Sequence, residues 1–501
     1  MSAAGGHHYL MTGPSPRNHP FRTWFERMRW ILKHGSVVTP MGLAPVDIVV
    51  EDETIVWVGV DCDPSEGDMV VDLAGLYVLP GFVDMHTHLH LRVGQYSVAD
   101  DFQTGTAAAL AGGTTTVVEY VTPDPGETFT SALDRWRRVS EKSRADYAFH
   151  VCIPRVTDDV LDELPGLIRQ GITGFKVFLA YPDRLMLSTA EIGRVMSVVG
   201  PAGGVVFVHA EDGVEVERLR AEAVSMGRKA PIEHARTRPA RTEVEAVSLI
   251  LDLVEKTRCP TVVVHVSCGE TMELLAEARS RGLPVFGETC PHYLWLTERQ
   301  LLRPFEEAIH YICSPPIRTA SDAMKLWDGL CTGVLQFVAT DHCPFFSEAR
   351  NSADSFDKVP NGISGIGARF NLTFAGGLYS GRFGMERLAH VLSTHPAMIC
   401  GLYPRKGVIA PGADADLVVV DPFGRTDLGE EPLAGACDFN PWEGIEAPGR
   451  LLAVMGRGEW LWREHDLSAK PGRGRFQERR RLSHNLLAHL LGKDMAWIFC
   501  P

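Results

Sequence analysis

The 501-residue chain has no apolar run approaching the roughly 18 residues that cross a bilayer, so no transmembrane helix is expected. It also has no basic surplus. Lys and Arg number 49 against 63 Asp and Glu, a formal charge of −14. Phosphate affinity rests on Lys and Arg, so neither nucleic acid nor an acidic membrane is an expected partner. The 11 cysteines are an odd number without CxxC spacing. That excludes a disulfide framework and fits reduced thiols in a cytoplasmic protein. No short-period repeat occurs, and the first 30 residues lack the apolar centre of a secretory signal. What is present is ordinary for a globular protein: 45% hydrophobic and 22% charged residues. The length suits about three units of roughly 150 residues, or one large barrel and a smaller partner.

Residues 1–30 carry Gly, Pro, His and four Arg with little periodicity, and are expected to be a disordered extension. The alternatives are a transit peptide or a start at Met28 or Met41. Residues 31–80 read as short strands, at Val46–Val50, Thr54–Val60 and Met69–Leu73. Strand-like segments return at Asp416–Asp421 and Leu451–Trp462. Segments 31–80 and 411–470 are therefore expected to form one small β-sandwich-like domain from both chain ends. Between them, residues 81–410 alternate short apolar runs with helical patterns. The runs are Phe82–His86, Thr115–Val121, Tyr147–Ile153, Thr173–Leu179, Val205–His209, Thr261–Val266, Pro284–Gly287 and Val334–Asp341. Helices are expected at Val98–Leu110, Ala190–Val199, Thr242–Lys256 and Glu270–Arg281. This predicts an α/β architecture, a (β/α)8 TIM-like barrel, with a doubly wound sheet as the alternative. Residues 471–501 form a tail. Its basic stretch Gly472–Arg481 is expected to be solvated, or else docked on a neighbouring subunit, before one short amphipathic helix from His484.

The chemistry-bearing residues fall at strand ends. His86 and His88 alternate on the first barrel strand, so both imidazoles can reach one ion. His209, His265 and Asp341 end or follow the fifth, sixth and eighth runs. Barrel strands converge at their carboxyl ends, so these five ligands meet on one rim. A lone strand-end His is commonly structural; four with an aspartate point to a metal site. Imidazole and carboxylate favour zinc, with manganese, cobalt or iron as alternatives. Lys176 lies inside the apolar Phe175–Phe178 and points to the same rim. Either it is a salt-bridged lysine or its amine has a depressed pKa and has reacted with carbon dioxide.

These motifs resemble the dihydropyrimidinases and D-hydantoinases, cyclic amidohydrolases of the amidohydrolase superfamily. The likeness runs from about Ile31 to Phe476. It includes Leu79-Pro-Gly-Phe-Val-Asp-Met-His-Thr-His88, Asp100-Asp-Phe-Gln-Thr-Gly-Thr106 and Phe175-Lys-Val-Phe-Leu-Ala-Tyr181. It continues through His209-Ala-Glu-Asp-Gly213, Glu288-Thr-Cys-Pro-His-Tyr-Leu294, Cys313-Ser-Pro-Pro-Ile-Arg318, Asp341-His-Cys-Pro-Phe345 and Pro360-Asn-Gly362. The resemblance implies two divalent metal ions. His86, His88 and Asp341 would hold one, and His209 and His265 the other. Carbamylated Lys176 and a hydroxide would bridge them. The hydroxide would attack the ring carbonyl of a dihydropyrimidine or 5-substituted hydantoin, giving an N-carbamoyl amino acid. Asp341 would act as general base and then acid, and Tyr181 would stabilise the oxyanion. Backbone near Ser314 and Asn361 would contact the ring imide. A homotetramer is implied as well.

Related readings are an allantoinase-like or dihydroorotase-like amidase, or a non-catalytic scaffold. His90 stands where dihydroorotases carry a substrate-gripping arginine, and all six ligands that scaffolds typically lack are present. Two departures bear on substrate. Leu91-Arg92-Val93 replaces an apolar stretch, so an inward Arg92 would favour an anionic substituent and an outward one would be solvated. Gly367 stands where relatives often have Glu.

Overall fold

The computed structural model describes residues 28–182, 184–429 and 434–492. Eight parallel strands pair in chain order into one sheet: Phe82–Thr87, Thr114–Val121, Asp146–Cys152, Gly174–Phe178, Val205–His209, Thr261–Val263, Val285–Thr289 and Leu335–Val338. They are numbered here as the first to eighth barrel strands. A bridge between Thr87 and His342 closes the sheet into a cylinder. Asp84 fastens the seam by accepting the Thr340 hydroxyl at 2.6 Å and the Thr340 amide at 3.2 Å. All eight expected strands form, and the doubly wound alternative falls because the two ends of the sheet meet.

Strands covered on both faces read as continuous apolar runs, which is why they are visible in the sequence. Their side chains nevertheless alternate. On the fifth strand Val206 and Val208 pack outward beneath the helices, and Val205 and Phe207 fill the cylinder. His209 follows in the inward phase. On the fourth strand Phe175 and Val177 pack outward and Lys176 points in. Helices Phe102–Ala111, Thr189–Val199, Ala240–Thr257 and Gly269–Ser280 occupy the expected places. Asp101 and Ser188 cap the first two with reciprocal capping boxes.

Both chain ends build the smaller unit. One four-stranded sheet comes from Arg29–Lys33, Asp47–Glu51, Thr54–Gly59 and Met69–Asp72. A seven-stranded sheet joins the first part of the chain to the last, because Tyr77–Pro80 pairs antiparallel with Leu417–Val420. Trp30, Ile48, Val50, Val78, Val419 and Met455 fill the core of this unit. Arg29 and Trp30, within the segment expected to be an extension, lie in a strand. Residues 1–27 lie outside the described residues. The late apolar stretch 451–462 is two strands, Glu446–Gly456 and Glu459–Arg463, because Arg457 and Gly458 turn with positive φ.

The basic tail is solvated in part, since Arg475, Arg480 and Arg481 are exposed, but the stretch also lies against the underside of its own barrel. Tyr147 donates its amide to Arg475 O at 3.0 Å, and Gln477 returns a bond to Tyr147 O at 2.7 Å. Arg479 is buried, with Nη1 3.2 Å from His150 Nδ1 and Nη2 bonded to Phe149 O. The following helix, His484–Leu490, packs Leu486, Leu487 and Leu490 on the same apolar cluster. Residues 493–501 lie outside the described residues. Among the described residues no helix is long and apolar enough to cross a membrane, and every cysteine is a free thiol.

Candidate metal centre

The carboxyl ends of the strands open into one cavity of about 900 Å³. His86, His88, Lys176, Tyr181, His209, His265, Ser314, Asp341 and Asn361 all line it. All nine residues singled out from the sequence therefore meet in one place. Local backbone irregularities bring them there. Val83 and Met85 point into the cylinder, so strict alternation would turn His86 away. The pairing of the first and second strands slips between Asp84 and Thr87. That bulge puts His86 on the cavity side. The sixth strand stops at Val263 rather than continuing to Val266. His265 then takes φ 42°, Asp341 takes φ 48° and Tyr181 takes φ 65°. Left-handed backbone is uncommon for residues with a side chain, and it clusters where a site imposes it.

His86, His88 and Asp341 offer ligand atoms that all lie within 4.8 Å of one another. Asp341 Oδ1 is 3.1 Å from His86 Nε2 and 3.0 Å from His88 Nε2. The rings of His209 and His265 stand 4.5 Å apart. Burial opposes ionisation of Asp341, but the two imidazoles outweigh it and hold the carboxyl well below the usual range. Burial also lowers the pKa of His88, His209 and His265, which keeps these imidazoles neutral and able to ligate. His86 differs. Burial works against its charged form, yet Glu288 and Asp341 hold its pKa up at about 9.

Two supporting residues were not singled out from the sequence. Glu288 Oε1 accepts from His86 Nδ1 at 2.6 Å and from the His265 amide at 3.1 Å. Glu211 Oε2 accepts from His209 Nε2 at 2.8 Å and from Arg238 Nη1 at 2.7 Å. Such carboxylates fix ring orientation and tautomer. Both glutamates sit within matched motifs, two residues after His209 and at the head of Glu288–Leu294. That adjacency was the available signal.

A divalent cation suits this donor set. Four imidazoles and a carboxylate converge. His88 Nδ1 and His265 Nδ1 are buried without a hydrogen-bond partner. Lys176 is 2% exposed, and no carboxylate among the described residues forms an ion pair with it. Its Nζ lies 4.8 Å from the Tyr120 ring centre. Burial lowers its pKa to about 8. A second acidic cluster, Asp146, Asp414 and Asp416, lies elsewhere and surrounds the Lys406 ammonium.

The substrate side is equally built. Burial pushes the Tyr181 phenol up to about 12, so it remains a hydrogen-bond donor. Asn361 Nδ2 donates to Ser314 Oγ at 2.8 Å. Arg92 is exposed and is not among the lining residues, whereas its neighbours Leu91 and Val93 are. His90 packs edge-on against Trp136, with ring centres 5.6 Å apart. At Gly112 a side chain would lie 2.8 Å from the Gly367 carbonyl oxygen, so these two backbones meet closely.

A model of the amidohydrolase family matches residues 77–461. The chain is 39% identical over 456 residues to a D-hydantoinase of Geobacillus stearothermophilus, covering 90% of this chain and 97% of the relative. Its structure is similar to that of a dihydropyrimidinase from Brevibacillus agri NCHU1002, with TM-score 0.89 and 35% identity, over 91% of this chain and all of the other. An L-hydantoinase from Arthrobacter aurescens aligns with TM-score 0.82 at 26% identity, over 90% and 99% of the two chains. The chain belongs to the amidohydrolase family, in its D-hydantoinase and dihydropyrimidinase branch. It is a cyclic amidohydrolase, an enzyme that hydrolyses the C–N bond of a ring amide.

Proposed function

We propose that the enzyme opens a cyclic imide, a dihydropyrimidine or a 5-substituted hydantoin, to an N-carbamoyl amino acid with the aid of two divalent metal ions, zinc by the chemistry of the donors. The observation that carries this reading is the convergence of four imidazoles, Asp341 and an unpaired buried lysine in one cavity. His86, His88 and Asp341 would hold one ion, and His209 and His265 the other. Lys176 would serve both as a carbamate. Its neutral amine attacks carbon dioxide, a N–C bond forms, and the amine proton leaves to solvent. Absence of a carboxylate partner and a lowered pKa both favour the neutral amine. When bound, the ions lower the pKa of a shared water and polarise the ring carbonyl.

The chain's own groups do the rest. Asp341, next to the attacked carbonyl, takes the water proton and hands it to the leaving ring nitrogen. Tyr181 donates its hydroxyl proton in a hydrogen bond to the carbonyl oxygen as charge develops there. Backbone at Ser314 and Asn361 pairs with the alternating N–H and C=O groups of the ring, which fixes its face. Free thiols at the described cysteines support a reducing, cytoplasmic setting. The homotetramer rests on family resemblance and is checked by light scattering.

The decisive experiment follows loss of dihydrouracil and hydantoin with protein made in the presence of zinc and bicarbonate. Turnover abolished by a chelator and restored by zinc is the expected result. Confirmed metal with no turnover of either ring would move the reading to an allantoinase-like or dihydroorotase-like substrate, and then to a scaffold.

A further inference from the structure

We infer that the enzyme selects cyclic amides whose ring substituent ends in an anion, and that Arg184 makes the selection; this rests on the ring-opening reading above. The mouth of the cavity is lined by Leu91, Val93, Leu185, Val216, Phe356 and Val359. That apolar wall accepts a hydrocarbon stem. The charges around it are unequally committed. Arg238 is paired with Glu211 at 2.7 Å. Arg220 lies between Glu217 at 2.5 Å and Asp357 at 3.4 Å. Lys358 is paired with Asp354 at 2.6 Å. Lys176 belongs to the metal centre.

Arg184 is the remaining lining cation, and no carboxylate among the described residues pairs with it. Among the described residues its guanidinium makes one hydrogen bond, from Nη2 to the Arg92 carbonyl oxygen at 3.2 Å. That bond ties the loop after the fourth strand to the short hairpin of Arg92–Val93 and Tyr96–Ser97. It holds the guanidinium at the mouth while using one of five N–H donors. The free edge of the fork matches a carboxylate in two-point contact. The carboxylates that line the same mouth, Glu217 and Asp357, already share Arg220. An arriving anion therefore meets an unspent cation, and an arriving ammonium meets carboxylates already neutralised. The sequence suggested such selection through Arg92; the structure transfers it to Arg184.

The test compares two substrates of nearly equal shape, 5-(carboxymethyl)hydantoin and its neutral carboxamide. The readout is the ratio of their kcat/KM values within each protein, so any general loss of activity cancels. The native enzyme is expected to favour the carboxylate by about tenfold, the scale of one charge-assisted hydrogen bond at an exposed site. Arg184→Met is expected to bring the ratio to near one, Arg184→Lys to retain part of it, and molar salt to shrink the native ratio. A native ratio at or below one, or a ratio that Arg184→Met leaves unchanged, overturns the inference while unsubstituted hydantoin is still turned over. Failure to turn over hydantoin and dihydrouracil at all overturns the ring-opening reading, and this inference with it.

Discussion

Two lysines are buried in this barrel, and they are opposites. Lys406 lies beneath the barrel at 1% exposure, with its ammonium 2.7 Å from Asp416, 2.9 Å from Asp146 and 3.0 Å from Asp414. Burial works against its charge, but the three aspartates outweigh that and raise its pKa. Lys176 lies at the other end, equally dry, with no carboxylate ion pair among the described residues, and burial lowers its pKa. The same side chain is a structural ion where its charge is answered and a reactive amine where it is not. The contrast extends to the surroundings. Around Lys406 the ion pairs are complete, with Arg457 Nε 3.1 Å from Asp146. Around Lys176, one ring nitrogen each of His88 and His265 is unpartnered.

The sharpest way to break this comparison is to remove each amine in turn. Lys176→Ala is expected to lower kcat by at least about 10³-fold, since a metal supplies several kcal/mol to the transition state. Elemental analysis should show loss of bound metal; full activity with two metals retained would remove the carbamate. Tyr181→Phe should reduce kcat by about 10²-fold with little change in metal content, as loss of one oxyanion donor does. Stability is expected to move in opposite directions at the two ends. Lys406→Met removes the ammonium shared by Asp146, Asp414 and Asp416, leaving among the described residues only Asp146 with a cation, Arg457, and should cost about 3–5 kcal/mol in denaturant unfolding. Lys176→Met in chelator-treated protein should melt at the same temperature or higher, because it removes an unanswered charge. If both variants are destabilised alike, the distinction between the two lysines fails.

The comparison is sharpened by pH. For Lys176 the reactive form is the neutral amine, and its fraction rises as pH passes through the lowered pKa of about 8. Reloading of metal- and carbonate-stripped enzyme with bicarbonate and zinc should therefore speed up from pH 6 to 8 and level off above about pH 9. A rate that falls across this range would place the charged amine in the reaction. The smallest expected effect is Arg92→Ala. Its side chain is exposed and off the cavity, so kcat/KM should stay within about twofold of native.

The barrel was legible because each of its strands is covered on both faces and so reads as an unbroken apolar run. The metal ligands were legible because they terminate those runs. What alternation alone could not supply was phase. His86 follows an inward Met85 and reaches the cavity only through a bulge, and His265 reaches it only where its strand breaks off. Glu288 and Glu211 escaped notice because their role exists only through the histidines they orient. The tail shows a different limit. Arg475 is solvated as its composition suggests, yet it and Arg479 also meet Glu53 and the carbonyl of Phe149 on elements far away in the chain. Local composition carries no record of such distant partners.

The pairing of Tyr77–Pro80 with Leu417–Val420 also has a consequence for how the protein is made. The first strand of that pair leaves the ribosome with the whole barrel still to be translated. At about 5–20 residues per second its partner follows on the order of half a minute later. During that interval the edge that Val78 and Leu79 will bury is open to any other strand. The nascent chain must shield an apolar β-edge until nearly the end of its own synthesis, and a truncation before residue 417 leaves that edge without its mate.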